Sequence, residues 1–185
     1  YQRSERALLA ACDTARDRAM LLCLLDTGAR LSEFIGLRVG DVELTNGITV
    51  IRHGKGNKDR AAFLGTQARK ALRKYLSERC ELRASDALWL TERGDNGLTT
   101  HGLQRFFQRI GKRAGVEHCH AHTFRRTFAL TCLRSGMDLI TLKKLMGHAD
   151  LKVLQRYLDQ NSEDLQKAHR EHGPVDALLR KGGRR

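Results

Sequence analysis

Hydrophobic residues recur at helical spacing along most of this 185-residue chain, and proline, which ends helices, occurs only once, at Pro174. One window departs from that pattern. Between residues 42 and 64, apolar and polar residues alternate in three short runs, which turns at residues 45–47 and 54–58 separate. We therefore predict a mainly α-helical fold with a small three-stranded antiparallel β-sheet.

Start and stop signals divide the helical part of the chain into separate helices. Serine, threonine and aspartate favour helix N-termini, and glycine favours helix ends. Gly28, for example, follows the apolar stripe formed by Met20, Leu21 and Leu24. The predicted helices cover residues 4–12, 15–26, 32–37, 66–81, 99–113, 123–134, 138–146, 151–158 and 162–172.

The net charge indicates the kind of partner. The chain carries 34 Lys and Arg against 21 Asp and Glu, a formal charge of +13, which favours an anionic partner. A hydrophobic content of 41% supports one packed core rather than a disordered basic tail. The longest apolar run, residues 19–25, is far shorter than the roughly 18 residues that span a bilayer, so we expect a soluble protein without a membrane partner.

The cysteines argue against a disulfide framework or a zinc site. Their number, five, is odd, and no two are spaced as Cys-x-x-Cys. The run at residues 118–122 offers His and Cys side chains, but zinc sites usually draw ligands from two separated pairs and no second pair is present. We expect no metal or other cofactor and a reducing, cytoplasmic location.

Several basic residues lie where an anion could bind. His122 and Arg125, three residues apart, share one face near the electropositive start of a predicted helix. Arg30 lies in a corner between two helices, and Glu33 could fix its guanidinium by a two-pronged pair. Lys55 lies at the tip of a glycine-rich hairpin. Taken singly, each has a plainer interpretation: a cap-region residue, a surface salt bridge or a solvated turn.

A further motif changes that interpretation. Leu145-Met146-Gly147-His148-Ala149-Asp150 is followed, nine residues after the histidine, by Tyr157. The ordered set resembles the motifs of the tyrosine recombinases, the phage-integrase type of site-specific recombinase, over about residues 15–160. It comprises Arg30, Lys55, His122-x-x-Arg125, Gly147-His148 and Tyr157. The resemblance implies the catalytic-domain fold of these DNA breaking-rejoining enzymes.

The resemblance also implies a reaction. Tyr157 would attack a DNA phosphodiester and form a 3′-phosphotyrosyl intermediate, which a 5′-hydroxyl later reverses. Phosphoryl transfer spreads negative charge over the non-bridging oxygens, and Arg30 and Arg125 would hold them as a clamp. The reaction would need neither a metal ion nor ATP.

The remaining site residues take their roles from the same resemblance. Lys55 would protonate the departing 5′-oxygen as general acid. His122 would transfer a proton to or from the tyrosine, and His148 would donate a hydrogen bond to the phosphate.

Partners and domain organisation follow as expectations. The resemblance implies that the protein binds double-stranded DNA and acts on it as a homotetramer. We expect the isolated fragment to be a monomer in solution. We expect the protein to act in the cytoplasm, at the prokaryotic nucleoid. We expect a catalytic domain over residues 1–173 and a basic tail over residues 174–185. The apolar patch Val175, Leu178 and Leu179 would dock on a neighbouring subunit or fold back on its own chain. Because the sequence begins at Tyr1, we expect that a DNA-clamping N-terminal domain is absent from this fragment.

Two other functions remain open from the sequence. A type IB topoisomerase uses the same tyrosine chemistry to relax supercoils, and a non-catalytic DNA-binding module could keep the same fold. Dependence on paired DNA sites would favour a recombinase over a topoisomerase. Retention of all six polar positions argues against the module, since a mere binder has no use for the tyrosine.

Overall fold

The computed structural model describes residues 2–52, 59–147, 169–170 and 175. The chain divides into two compact units, Tyr1–Ala149 and Asp150–Arg185. In the second unit the described residues His169, Arg170 and Val175 are helical and exposed. The helix predicted over residues 151–158 lies outside the described residues, and so do Leu178 and Leu179 of the tail patch, of which the structure describes only Val175.

The described part of the first unit contains seven α-helices, one 3₁₀ turn at Val39–Asp41 and two β-strands. The strands are β1 (Ile48–Ile51) and β2 (Arg60–Phe63). The helices are α1 (Gln2–Ala10), α2 (Ala15–Thr27), α3 (Leu31–Ile35), α4 (Thr66–Ser77), α5 (Thr100–Ala114), α6 (Ala121–Arg134) and α7 (Leu139–Met146). The mainly helical fold with a small antiparallel sheet is confirmed.

Local signals explain where several helices begin and end. The Asp138 side chain accepts a hydrogen bond from the Thr141 backbone N–H and caps α7, and Thr99 caps α5 through the Gly102 backbone N–H. Gly28, with φ 53°, ends α2 as predicted. The first helix begins at Gln2, two residues before the predicted start at Ser4.

Two other helix ends differ from the prediction. The fourth helix stops at Ser77 rather than residue 81, because the backbone turns at the Glu78 C-cap. The sixth begins two residues before Thr123, because His120 serves as N-cap and accepts a hydrogen bond from the Thr123 backbone N–H.

The sheet has two strands in the described residues rather than the three predicted. β1 and β2 pair antiparallel, with Ile48 opposite Phe63 and Ile51 opposite Arg60. The run predicted as a third strand contributes only the isolated bridge between Val42 and Thr49. It stays short because the 3₁₀ turn ends just before Val42, and the next hairpin closes at once with a hydrogen bond from Gly47 N to Glu43 O.

The core forms around α2, which packs against both α4 and α6. Met20 and Leu21 on α2 are fully buried, as the apolar stripe predicts. Trp89, from the segment after α4, is also fully buried, and its ring stacks on Phe34 and on Tyr75 with centroid distances of 4.8 and 5.7 Å. This packing fixes α3 and α4 against the core that α2 organises. None of the helices in the described part of the chain has the length and apolar content that crossing a membrane requires.

Candidate active site

Three arginines from distant parts of the chain converge on the C-terminal end of α7. Each donates a hydrogen bond from its guanidinium to a different backbone carbonyl of three consecutive residues. The bonds are Arg60 Nη1 to Leu145 O at 2.5 Å, Arg125 Nη2 to Met146 O at 2.6 Å and Arg30 Nη2 to Gly147 O at 3.1 Å. We call Arg30, Arg60 and Arg125 the arginine cluster.

The end of α7 suits these cations for two reasons. The last carbonyls of a helix lack intrahelical partners, and they form the negative end of the helix dipole. Gly147 then ends the helix in the left-handed region, with φ 66°. A Cβ atom at this position would lie 2.7 Å from Cδ of Arg60. Glycine in the Leu-Met-Gly motif therefore allows both the turn and the close approach of an arginine stem.

Arg125 is a buried member of the cluster. It projects from α6, is only 8% exposed, and donates a second hydrogen bond from Nη1 to Gly28 O at 2.6 Å. Burial, together with the positive charges of Arg30 and Arg60, lowers the pKa of Arg125 to about 10. That value remains far above neutrality, so the site holds a buried, oriented cation.

Glu33 is the carboxylate that organises the cluster. Its Oε1 accepts a hydrogen bond from Arg30 Nη1 at 2.5 Å, and its Oε2 accepts from Arg60 Nη2 at 2.8 Å and from the Arg30 backbone N–H at 2.9 Å. Burial raises the pKa of the Glu33 carboxyl, but these hydrogen bonds and the charge of Arg60 outweigh it and hold the pKa below its ordinary value. The predicted Arg30–Glu33 pair forms, but with one guanidinium bond rather than two, because Oε2 accepts from the Arg30 backbone N–H and from Arg60 instead.

The cluster carries more positive than negative charge. Among the residues that the structure describes, three guanidinium groups face one carboxylate, which leaves an excess of two positive charges there. The Arg30 side chain is 29% exposed, so an anion can reach the cluster from solvent. Helix carbonyls compensate part of this charge through their dipoles. The arrangement favours a phosphate-like anion, whose oxygens match the planar donors of arginine.

His122 lies one helical turn before Arg125, in the first turn of α6. Its side chain is exposed, and its ring centroid lies 6.5 Å from that of His120. The ring of His120, not that of His122, caps the helix through the Thr123 backbone N–H. Within the described residues His122 makes no hydrogen bond to the arginine cluster, so the structure leaves its ring open to solvent beside the site.

The other three predicted site residues, Lys55, His148 and Tyr157, lie outside the described residues. Among the residues that the structure describes, no group of three His, Cys, Asp or Glu side chains could hold a metal ion.

Arg60 is the site residue that the sequence analysis did not single out. A signal for it exists in the alternation of β2, where Arg60 falls on the same face as the buried Ala62. An arginine on the inward face of a strand requires internal partners, and Glu33 and Leu145 O supply them.

Comparison with known proteins is consistent with this geometry. Residues 1–164 match the model of the phage integrase family. The tyrosine recombinase XerD of Ralstonia nicotianae is 38% identical over 181 residues, which cover 91% of this chain and 58% of the relative. The tyrosine recombinase XerC of Azotobacter vinelandii is 36% identical over 159 residues, covering 86% and 53%. The chain thus spans about half the length of these curated relatives.

Solved structures give the same picture. The crystal structure of XerA recombinase matches with a TM-score of 0.78 and 30% identity, covering 94% of this chain and 63% of that one. The XerH site-specific recombinase, bound to its difH substrate in a pre-cleavage complex, matches with a TM-score of 0.73 and 28% identity. That match covers 90% of this chain and 50% of the XerH chain.

Proposed function

Because this chain belongs to the phage integrase family of tyrosine recombinases, we propose that it is the catalytic domain of a site-specific DNA recombinase. It cleaves and rejoins DNA strands through a 3′-phosphotyrosyl intermediate. The observation that carries the proposal is the arginine cluster, in which three oriented guanidinium groups lie at the end of α7 and face Glu33, the one carboxylate that the described part of the chain places there.

Arg30 and Arg125 form the phosphate clamp. Each guanidinium carries five N–H donors, and within the described residues the bonds to backbone carbonyls and Glu33 occupy two of them in each case. These internal bonds fix the plane of each fork before DNA arrives, so little reorganisation is needed as charge develops on the phosphate oxygens. Remaining N–H groups are directed at the non-bridging oxygens.

Tyr157 is the nucleophile, a role that rests on the family motif. A phenol has an ordinary pKa near 10, so Tyr157 must lose its proton as it attacks phosphorus. The exposed ring of His122, one turn before Arg125, accepts or returns that proton. Lys55 protonates the departing 5′-oxygen, and His148 donates a hydrogen bond to the phosphate. The phosphotyrosyl ester keeps the energy of the broken bond, so rejoining needs no ATP. The cationic side chains stabilise the charge on the phosphate, so the proposed reaction needs no metal ion.

Double-stranded DNA is the partner in this proposal. The formal charge of +13 supports it, because basic residues beyond the cluster can contact phosphates along the duplex. The XerH neighbour was solved with its difH substrate bound. Exchange between two DNA sites further requires several active subunits, and we propose a homotetramer on DNA, with residues 1–173 as catalytic domain and residues 174–185 as a tail that reaches a neighbour.

Covalent capture tests the proposal without requiring a known target site. The 185-residue chain is incubated with a pool of nicked duplexes of randomised sequence, and DNA that stays attached after denaturation is recovered and sequenced. We expect the unaltered chain to yield attached DNA that Tyr157→Phe abolishes. Tyr75→Phe is the matched control, because Tyr75 lies in the core and its hydroxyl accepts a hydrogen bond from Leu90 N. Attached DNA that persists in Tyr157→Phe, or none with the unaltered chain, contradicts the proposal.

A further inference from the structure

Arg60 connects Glu33 to the C-terminal turn of α7 within the arginine cluster. Its Nη1 donates to Leu145 O at 2.5 Å, and its Nη2 donates to Glu33 Oε2 at 2.8 Å. The first bond holds the last turn of α7, and the second holds the carboxylate that orients Arg30. Arg60 therefore ties Glu33 directly to a carbonyl inside α7, whereas Arg30 bonds Glu33 and the carbonyl of Gly147, just beyond the helix.

We propose that Arg60 is a positioning residue for strand cleavage. By bonding both Glu33 and Leu145 O, it connects Glu33 to the end of α7 and thereby holds Arg30 and Arg125 in their relative positions. The inference rests on the proposed function above. The carbonyls that accept from Arg125 and Arg30, Met146 O and Gly147 O, directly follow the one held by Arg60. Loss of the two Arg60 hydrogen bonds would let Arg30 and Arg125 shift together.

Because the Arg60 side chain is buried, we infer that it acts on other residues of the protein rather than on DNA. The Arg60 side chain is only 8% exposed, against 29% for Arg30. Its hydrogen bonds to Leu145 O and Glu33 both go to groups of the protein. An arginine in this place therefore has little surface left for a DNA phosphate, and its effect must pass through the residues that it holds.

Stability alone does not explain an arginine at this position. Arg60 places a third cation near Arg125, and its charge helps to lower the pKa of Arg125. Its Nε is buried without a hydrogen-bond partner in the described part of the chain. Apolar side chains that replace both partners of a buried ion pair often do so without loss of stability, whereas removal of one partner alone is destabilising. A forked side chain that spans Glu33 and Leu145 O provides geometry that such a residue cannot provide.

Single-turnover cleavage separates positioning from binding. The chain in excess is mixed with a duplex recovered by covalent capture, and the cleavage rate constant at saturation is measured beside the Kd. For Arg60→Met we expect a rate constant about 100-fold lower, with Kd changed by less than about threefold. Arg60→Lys keeps the charge but carries its donors on a single nitrogen, so it cannot reproduce the fork that spans Leu145 O and Glu33, and we expect a loss of about 10-fold.

Arg79→Met is the matched control. Arg79 also donates to two backbone carbonyls, Ala87 O and Leu88 O, each at 3.0 Å, but it takes no part in the cluster. We expect it to lower thermal stability while the cleavage rate constant stays within about threefold of the unaltered chain. All variants are assayed at a temperature at which circular dichroism shows them folded, and Arg60→Lys carries the test if Arg60→Met is not folded.

A charge-altered substrate adds a second readout. On a duplex whose scissile phosphate is replaced by a neutral methylphosphonate, the clamp has less charge to stabilise, so the Arg60→Met defect should shrink to below about 10-fold. A general folding defect would slow both substrates equally and would contradict the proposal. So would unchanged cleavage in Arg60→Lys and Arg60→Met, or a loss of DNA affinity as large as the loss of rate. If the unaltered chain attaches no DNA, the proposed function itself fails, and this inference fails with it.

Discussion

The guanidinium of Arg125 on α6 donates to the carbonyl of Met146, the last residue of α7, at 2.6 Å. A buried cation is thereby bonded to the end of the helix that leads into the Gly147-His148 motif. The same guanidinium donates to Gly28 O at the end of α2. One arginine on α6 therefore ties the ends of two other helices together at the candidate active site.

This relationship predicts that the shape of Arg125 matters, not only its charge. Arg125→Lys keeps the charge but carries its donors on one nitrogen, so it loses the planar fork whose separate nitrogens bond Gly28 O and Met146 O, and we expect cleavage to slow by about 100-fold or more. DNA affinity should change much less. The measurement is the single-turnover cleavage rate at saturating protein.

Arg134→Lys, at the exposed end of the same helix, is the control for that substitution. We expect it to cleave at the rate of the unaltered chain. Equal rates for Arg125→Lys and the unaltered chain would show that a point charge suffices, and the fork geometry would then have no role.

Substitution of Gly147 is expected to lower both stability and the cleavage rate. Gly147→Ala places a Cβ in the left-handed region, with φ 66°, and 2.7 Å from Cδ of Arg60. We expect a loss of about 2 to 4 kcal/mol in the free energy of unfolding, with slower cleavage because the cluster must shift. Urea unfolding and the cleavage rate measure the two effects.

Gly115→Ala is the control that separates the backbone strain in Gly147→Ala from the crowding of its Cβ against Arg60. Gly115 also ends a helix, with φ 63°, but nothing lies within 4 Å of the place that its Cβ would occupy, so only the backbone strain of about 1 to 2 kcal/mol is expected there. A loss of stability in Gly147→Ala no larger than in Gly115→Ala would contradict the close packing of Arg60 on Gly147.

The folds of the local segments could be predicted better than the site. Caps, glycines and apolar spacing act over a few residues, and they gave α2, α5 and α7 to within two residues of the observed ends. The predicted third strand failed because the turns on both sides of Val42 leave it room for a single bridge. Hydrophobic alternation does not report such turn geometry.

The site depends on contacts that no local pattern contains. Arg60 and Leu145, which share a hydrogen bond, are 85 positions apart, and Arg125 and Gly28 are 97 apart. The motifs identified Arg30 and Arg125 by residue type and order. The motifs do not show which backbone carbonyls accept hydrogen bonds from these two arginines, or that Arg60 belongs to the same cluster. Both depend on the packing of α2, α6, α7 and β2.

Glu33 predicts a pH dependence of stability. Its folded-state pKa lies below the ordinary value of 4.5, because bonds from Arg30 and Arg60 outweigh the raising effect of burial. The unfolded state therefore takes up the proton first, so the stabilisation is fully present above about pH 5 and is lost as the pH falls through the lowered pKa. Arg125, which also faces Glu33, stays charged throughout this range.

Urea unfolding of Glu33→Gln across this pH range checks the sign. We expect the variant to be about 2 kcal/mol less stable than the unaltered chain near pH 7, with the difference shrinking as the pH falls below about 4.5. Glu78→Gln, at the exposed end of α4, should show no such trend. A difference for Glu33→Gln that grows towards low pH would contradict the ion-pair account.

The chemical linkage between protein and DNA identifies the nucleophile and the DNA end that it attacks. After covalent capture, the attached DNA is trimmed to a short remnant and the protein is digested with trypsin, which releases residues 157–167 as one peptide. We expect mass spectrometry to find the remnant on Tyr157, joined to a 3′-phosphate, and the released strand to carry a free 5′-hydroxyl. A remnant on another residue, a 5′-linked remnant or a released 5′-phosphate would contradict the proposed mechanism.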